Sequence, residues 1–152
     1  MVAIGRKVPR LKGALGDGDT LALADLRGQR VVVYFYPKDA TTGCTSEAQA
    51  FRDLYPQFQR RHCAVVGVSR DSAASHAKFA ARQSLPFPLV ADTDEAWCEA
   101  FGVIGEKSLY GRRYTGVIRS TFLIDADGVL VAQWRGVRVP GHAQAVLDRL
   151  DQ

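Results

Sequence analysis

One short segment constrains the fold more than any other: six apolar residues, Val31 to Tyr36, that follow Arg30 and end at Pro37. Most of them are β-branched or aromatic, which favours an extended strand over a helix. The run does not alternate between apolar and polar residues, so both faces of the strand are expected to be buried. A strand buried on both faces needs a layer of structure on each side of its sheet. The chain is therefore expected to fold as an α/β protein.

The residues after this strand change to helical spacing. From residue 46 onward, apolar side chains recur at positions i, i+3, i+4 and i+7, which predicts an amphipathic helix. They are Phe51, Leu54, Tyr55 and Phe58. Pro56 is expected to kink or shorten the last turn, because it lacks a backbone N–H. The next predicted elements are a strand at 63–68, a helix at 73–82, a strand at 88–90 and a helix opened by 92–94 and ending at Phe101.

The last third of the chain predicts an antiparallel unit. Two apolar runs, 121–124 and 129–134, flank an Asp-Gly turn at 125–128, which is a strong hairpin signal. A helix is predicted at 141–150, and near the start a turn at 16–18 precedes a short strand at 20–23. A βαβ unit followed by a ββα unit predicts a mixed central sheet with helices on both faces. No linker interrupts the pattern, so residues 1–152 are expected to form one three-layer domain.

Composition and charge argue against several classes of protein. The chain has 152 residues, 47% of them hydrophobic, as in an ordinary folded domain. Its net charge of +4 comes from scattered basic residues, so no nucleic-acid-binding stripe is predicted. No apolar run reaches the ~18 residues of a membrane span, and residues 1–10 lack the apolar stretch of a signal peptide. Three cysteines without close spacing indicate a reducing compartment, so a cytoplasmic location is expected.

Cys44 is the strongest candidate for chemistry. It follows the first central strand at its carboxyl end, where functional residues gather in α/β sheets. It also lies at the first turn of the predicted helix, where free backbone N–H groups favour a thiolate over a thiol. Gly43 lets a small ligand approach the backbone, and Thr41 supplies a hydroxyl. This position favours a reactive thiol over the alternative, a small buried packing residue.

The other two cysteines are weaker candidates. Cys63 begins a valine-rich strand and is expected to be part of the core. Cys98 lies in a predicted helix with acidic neighbours, Asp94, Glu95 and Glu99, which disfavour a thiolate. A role for Cys98 as a resolving thiol stays open.

Several other kinds of site lack their sequence signals. No pair of cysteines or histidines has the short spacing of a zinc site, and no Cys-x-x-Cys dithiol motif is present. No known protease signature surrounds the histidines, and no glycine-rich phosphate loop is found. The sequence therefore predicts neither a metal nor an organic cofactor.

Pro37, Thr41 and Cys44 match the signature Pro-x-x-x-Thr-x-x-Cys of the peroxiredoxin family. The chain most resembles the bacterioferritin comigratory protein, or peroxiredoxin Q, subfamily, over about residues 5 to 150. Segments that carry this likeness are 34–38, 43–45, 47–48, 51–53, 101–103, 105–107 and 119–125. The resemblance implies a thioredoxin-like fold, in agreement with the α/β plan above.

The resemblance also implies roles for individual residues. Cys44 would be the peroxidatic cysteine, whose thiolate attacks a hydroperoxide and becomes a sulfenic acid. Thr41 would hydrogen-bond the thiolate and the peroxide, and Pro37 would shield the site from water. Arg119, from the later strand, would lower the pKa of the thiol and stabilise charge as the O–O bond breaks, which requires no cofactor. Glu47 is a candidate for orienting these groups.

Two departures from the subfamily pattern concern the catalytic cycle. Thr42 stands where proline is common, which is expected to loosen the loop. Many relatives carry a resolving cysteine five residues after the peroxidatic one, and here that residue is Gln49. Others carry it in the next helix, where this chain has Phe79-Ala80-Ala81. These replacements favour a one-cysteine enzyme; the alternative is a two-cysteine enzyme in which Cys98 resolves the sulfenic acid.

The resulting expectation is a thiol peroxidase that reduces hydrogen peroxide and organic hydroperoxides. Thioredoxin, glutaredoxin or a small thiol would return Cys44 to its reduced state. The alternatives are a redox sensor that signals through oxidation of Cys44, and a structural or holdase-like protein of the same fold. The sequence leaves open whether the protein is a monomer or a homodimer.

Overall fold

The computed structural model describes residues 1–152 and contains a seven-stranded mixed sheet, a separate two-stranded hairpin and four α-helices. The strands are β1 Lys12–Leu15, β2 Thr20–Ala22, β3 Arg30–Phe35, β4 Cys63–Ser69, β5 Leu89–Ala91, β6 Ile104–Leu109, β7 Arg112–Val117, β8 Ser120–Ile124 and β9 Leu130–Arg135. The helices are α1 Thr42–Arg60, α2 Ala73–Gln83, α3 Ala96–Phe101 and α4 His142–Arg149. A short 3-10 helix occupies Leu23–Leu26.

Strand β3 lies inside the sheet and separates two hydrophobic cores. Its side chains alternate: Val31, Val33 and Phe35 face one core, and Val32 and Tyr34 face the other. The first core includes α3, and the second includes α1, α2 and α4. The prediction of a strand buried on both faces is confirmed, and it accounts for the layer of helices on each side of the sheet.

The strand order is β2-β1-β5-β4-β3-β8-β9. β3, β4 and β5 run parallel to one another, whereas β8 and β9 continue the sheet antiparallel from β3. The predicted mixed sheet with helices on both faces is therefore confirmed. The parallel arrangement directs the carboxyl ends of β3 and β4 to one edge, where the loops into α1 and α2 begin.

Two features of the structure differ from the sequence predictions. Strand β1 was not predicted, and neither was the β6–β7 hairpin, whose strands are largely polar and half-exposed or exposed. Pro56 was expected to kink or shorten the last turn of this helix; α1 is not shortened at Pro56, since it continues to Arg60. Burial of Phe51 and Phe58 against the sheet holds this part of α1 in place despite the missing N–H of proline. No helix has both the length and the apolar character needed to cross a membrane.

The short helix α3 depends on a carboxylate outside it. Asp92, which is buried after β5, accepts hydrogen bonds from the backbone N–H groups of Trp97 at 3.0 Å and Cys98 at 2.8 Å. Helix termini leave such N–H groups without intrahelical partners. Glu95, the residue that precedes α3, provides no side-chain cap, so the Asp92 carboxylate caps the helix instead.

We therefore expect Asp92→Ala to lower the free energy of unfolding by roughly 3 kcal/mol, because two buried N–H groups lose a charged acceptor. Urea denaturation followed by circular dichroism measures this loss. Asp94→Ala is the matched control, since exposed Asp94 accepts only one longer bond, 3.2 Å from the Ala96 N–H, and its loss should stay below about 1 kcal/mol. Equal losses in the two variants would contradict the capping role.

Candidate active site

Cys44 lies in the first turn of α1, directly after the loop that follows β3. Its side chain is only 2% exposed and belongs to the core between the sheet and α1. The N-terminal turn of a helix carries a partial positive charge and unpaired N–H groups, and both stabilise a negatively charged sulfur. The predicted position of Cys44 at a strand-to-helix corner is therefore seen in the structure.

Arg119 brings a full positive charge to this sulfur. It lies in the connection between β7 and β8, immediately before the strand on which it was expected. Its Nη2 donates to Cys44 Sγ at 3.4 Å, and its Nη1 donates to Glu47 Oε1 at 2.6 Å. A Cβ atom at Gly43 would lie 3.2 Å from Nη2, so the glycine leaves room for the guanidinium beside the helix.

The guanidinium stays charged although its side chain is only 16% exposed. Burial alone would lower the pKa of Arg119, but Glu47 and Cys44 together outweigh burial and raise it. A fixed cation within hydrogen-bond distance of a thiol favours the thiolate. The structure thus brings together the two groups, Cys44 and Arg119, that the sequence places 75 residues apart.

Glu47 has an unusual environment for a carboxyl group. Its side chain is 1% exposed, and its Oε2 atom has no hydrogen-bond partner. Burial raises the pKa of Glu47 to about 7, against the opposing effect of Arg119. Near neutral pH the carboxyl group is therefore partly protonated, and it then neutralises less of the charge that Arg119 presents to the sulfur.

Thr41 and Pro37 lie on the loop that leads to Cys44, and the Thr41 hydroxyl is bonded to the backbone rather than to the sulfur. The Thr41 side chain is exposed, and its hydroxyl donates to the backbone carbonyl of Lys38 at 2.8 Å. Thr41 is the N-cap residue of α1, although its side chain accepts no capping hydrogen bond. Pro37 is half-buried and follows β3 after one residue. Both residues therefore lie on the loop that leads to Cys44.

Cys98 lies on the opposite side of the sheet from Cys44. It is fully buried in the core that includes α3, and its backbone N–H is held by Asp92. Burial raises the pKa of the Cys98 thiol far above its usual range, and Asp92 raises it further. The sheet and its packed side chains therefore separate Cys98 from Cys44.

Cys63 shares a core with Cys44 but lies at the other end of the sheet. It is paired with Arg30 at the start of β3, whereas the Cys44 loop begins after Phe35, which pairs with Val68. Five residues along a strand span about 16 Å. Burial raises the pKa of the Cys63 thiol to about 12. All three cysteines are free thiols in this structure.

Two buried groups near the site lack an evident sequence signal. His142, the first residue of α4, forms a 2.7 Å hydrogen bond with the Thr121 hydroxyl, and its ring packs against Phe51 and Trp134. Asp39, in the loop before Cys44, bonds to His76 of α2. Neither the His142–Thr121 pair nor the Asp39–His76 pair forms a recognisable motif, because the two partners of each pair are far apart in the sequence.

The comparisons with known proteins agree with this geometry. The AhpC/TSA family matches residues 4–133, and the chain belongs to that family. Peroxiredoxin Bcp of Bacillus subtilis is 43% identical over 98% of this chain and 95% of its own length. Peroxiredoxin Bcp of Xanthomonas campestris is 49% identical over 90% of this chain and 86% of its own length.

Solved structures show the same fold. Peroxiredoxin Q of Xanthomonas campestris superposes with a TM-score of 0.91 at 45% identity, covering 99% of this chain and 96% of the other. A PrxQ variant from Xylella fastidiosa gives a TM-score of 0.94 at 42% identity, with the same coverage. The predicted thioredoxin-like peroxiredoxin fold is confirmed. The chain is a thiol peroxidase of the Bcp and peroxiredoxin Q type, which consumes a peroxide and a thiol.

The environment of His142 leads to a prediction about acid stability. Burial, together with the nearby charge of Arg119, lowers the pKa of His142 to about 4. Because the folded pKa lies below the ordinary value of 6.5, the associated stability is complete above pH 6.5 and is lost as the pH falls through about 4. The contribution of Glu47 to stability has the opposite pH dependence. Because its pKa is raised, it adds stability at low pH that is lost as the pH rises through about 7.

We expect His142→Gln to remove the histidine contribution while keeping a polar partner for Thr121. Urea denaturation of wild type and variant at pH 7.5 and pH 4.5 measures this contribution. Between the two pH values, the free energy of unfolding of the wild type should fall by roughly 2 kcal/mol more than that of the variant. Because Glu47 is present in both proteins, its contribution cancels in the comparison. An equal pH dependence in the two proteins would show that His142 does not titrate as described.

Proposed function

We propose that this protein is a one-cysteine peroxidase that reduces hydrogen peroxide and organic hydroperoxides through a sulfenic acid on Cys44, with an external thiol as reductant. The contact between the Arg119 guanidinium and Cys44 Sγ carries the proposal. It supplies the charge that favours a thiolate and a donor for the oxygen that develops negative charge. The remaining catalytic set consists of Thr41 and Pro37, on the loop that leads to the sulfur.

The first step is a nucleophilic displacement at oxygen. The Cys44 thiolate attacks the terminal oxygen of ROOH, an S–O bond forms, and the O–O bond breaks. The leaving alkoxide or hydroxide takes up a proton and departs as alcohol or water, while the sulfur is oxidised to S–OH. Arg119 stabilises the negative charge as it moves from sulfur to oxygen. We assign the Thr41 hydroxyl to hydrogen bonding with the bound peroxide after it leaves the Lys38 carbonyl, and Pro37 to shielding from water.

The second half of the cycle requires a thiol from outside the chain. A disulfide needs Cα atoms within about 7 Å, whereas Cys98 lies across the sheet and Cys63 lies at its far end. An external thiol therefore attacks the sulfenic sulfur, forms a mixed disulfide and releases water. A second thiol then restores Cys44. Thioredoxin, glutaredoxin and small thiols are the candidate reductants. We also propose that residues 1–152 form a single domain and that the protein is cytoplasmic.

Mass spectrometry after one equivalent of peroxide tests the one-cysteine cycle. We expect a single oxygen on Cys44, trapped with a sulfenic-acid reagent, and no Cys44–Cys98 or Cys44–Cys63 disulfide. Cys63→Ser and Cys98→Ser are matched controls, because both should retain sustained turnover with a thiol, whereas Cys44→Ser should lose it. Loss of turnover in Cys98→Ser would instead support the two-cysteine cycle. Oxidation of Cys44 with no turnover by any of the candidate reductants would support a sensor.

Arg119→Lys tests the role of the guanidinium. Lysine keeps the positive charge but lacks the planar fork that contacts Cys44 and Glu47 together, so the second-order rate constant with peroxide should fall about 100-fold. Stopped-flow kinetics with hydrogen peroxide measure this constant. Arg113→Lys is the matched control, since Arg113 is 82% exposed on the hairpin and its replacement should leave the rate unchanged. A wild-type rate in Arg119→Lys would remove Arg119 from the proposed mechanism.

A further inference from the structure

A buried polar network lies beneath the loop that carries Pro37 and Thr41. Its centre is Asp39, whose side chain is 4% exposed. Asp39 accepts hydrogen bonds from Tyr36 Oη at 2.6 Å and from Ser75 Oγ at 2.8 Å, and it lies 2.7 Å from His76 Nδ1. The Asp39 backbone N–H also donates to Asp71 Oδ2 at 2.9 Å. The loop is thereby attached to α2 and to the turn that precedes it.

The hydrogen bonds of His76 determine its charge. One ring nitrogen, Nε2, lies 2.9 Å from the backbone carbonyl of Val90, which can only accept. The other, Nδ1, faces the Asp39 carboxylate, which also accepts. Burial alone would raise the pKa of Asp39, but the bonds from His76, Tyr36 and Ser75 outweigh burial and lower it, so Asp39 is ionised. Both ring nitrogens of His76 must then donate, which makes the ring a buried imidazolium.

The contacts of this network exclude two other kinds of site, a hydrolytic triad and a metal site. Ser69, His76 and Asp39 have the residue types of a hydrolytic triad, but Ser69 is fully buried and its hydroxyl donates to Asp71 at 2.6 Å. Asp39, Asp71 and His76 offer ligand atoms within 4.8 Å of one another, as a metal site would. However, both nitrogens of His76 already serve as donors, so neither has a lone pair for a metal.

The attached loop is not in a relaxed conformation. Ala40, between Asp39 and Thr41, has a φ of 62°, a region that residues with a Cβ atom rarely adopt. Thr41 adds no side-chain cap to α1, so its side chain does not hold the first turn of this helix in place. A strained backbone of this kind persists only where its surroundings fix it. The contacts that surround Ala40 here are those of Asp39, together with the bond from the Thr41 hydroxyl to the Lys38 carbonyl.

We infer that the buried ion pair between Asp39 and His76 positions the Cys44 loop for reaction with peroxide. The pair acts through the backbone, since Asp39 precedes Cys44 by five residues and contacts neither the sulfur nor Arg119. Losing either charge frees the loop from α2 and lets Thr41 and the first turn of α1 move. Small displacements of a reacting group lower rates steeply, by as much as about 100-fold for 1 Å. This inference rests on the proposed role of Cys44 as the reacting residue.

A double-mutant cycle tests the positioning role. We expect Asp39→Asn and His76→Asn each to lower the second-order rate constant with peroxide by about 10-fold or more, measured per folded molecule. The double variant should be no slower than the slower single variant, because one attachment is lost in each case. Gln144→Ala is the control: exposed Gln144 donates to Asp148 on α4, outside the network, so loss of this hydrogen bond should leave the rate unchanged. If either single variant is unstable, Ser75→Ala removes one donor to Asp39 and should lower the rate in the same direction.

Nuclear magnetic resonance tests the ion pair independently of activity. With 15N-labelled histidine at neutral pH, the reduced wild-type protein should show two slowly exchanging ring protons on His76, one on each nitrogen. A single ring proton would overturn the imidazolium assignment. Rates at the wild-type level in Asp39→Asn, His76→Asn and Ser75→Ala would overturn the positioning role. Either of these outcomes is distinguishable from failure of the proposed function, because that failure would appear as sustained turnover in Cys44→Ser.

Discussion

The site depends on one arginine that links two distant parts of the chain. Arg119 comes from the connection into β8, yet its guanidinium lies against the first turn of α1, between Cys44 Sγ and the Glu47 carboxyl group. Such a cation has to be fixed before the reaction, because a mobile one would be solvated and would give little stabilisation to a developing charge. The antiparallel pairing of β3 with β8 provides that fixation, since Phe35 at the end of β3 is opposite Ser120, the neighbour of Arg119. The fold therefore positions the charge before any substrate arrives.

Glu47 explains how a buried cation can serve both structure and chemistry. A buried arginine with no partner would be costly, and one fully neutralised by a carboxylate would have little charge left for a thiolate. The Glu47 carboxyl group lies between these limits, because burial raises its pKa to about 7 and Arg119 partly offsets that effect. The group holds the guanidinium by a 2.6 Å hydrogen bond while it is partly protonated near neutrality. Arg119 thus remains oriented and retains charge toward Cys44.

The parts of the molecule that sequence analysis predicted share a local physical cause. The run from Val31 to Tyr36 is apolar throughout, so burial on both faces follows from the residues themselves, and the position of Cys44 after it follows from chain order. The β6–β7 hairpin was missed because its polar strands form outside the main sheet. The Asp39–His76 pair was missed because its members are 37 residues apart and only the parallel pairing of β3 and β4 brings their loops together.

The role of α2 follows from the same network. In relatives that the sequence resembles, this helix can carry a resolving cysteine, and a thiol there would have to leave the helix to reach the sulfenic acid. Here the corresponding residues are Phe79-Ala80-Ala81, and Ser75 and His76 of the same helix are bonded to Asp39 in the Cys44 loop. Unwinding α2 would break the contacts that hold the reacting turn in place. In the proposed cycle an external thiol reduces the sulfenic acid, so α2 does not need to unwind and can serve as a fixed support for the loop. The absence of a cysteine from residues 79–81 and the attachment of the loop to α2 are both consistent with the one-cysteine cycle proposed above.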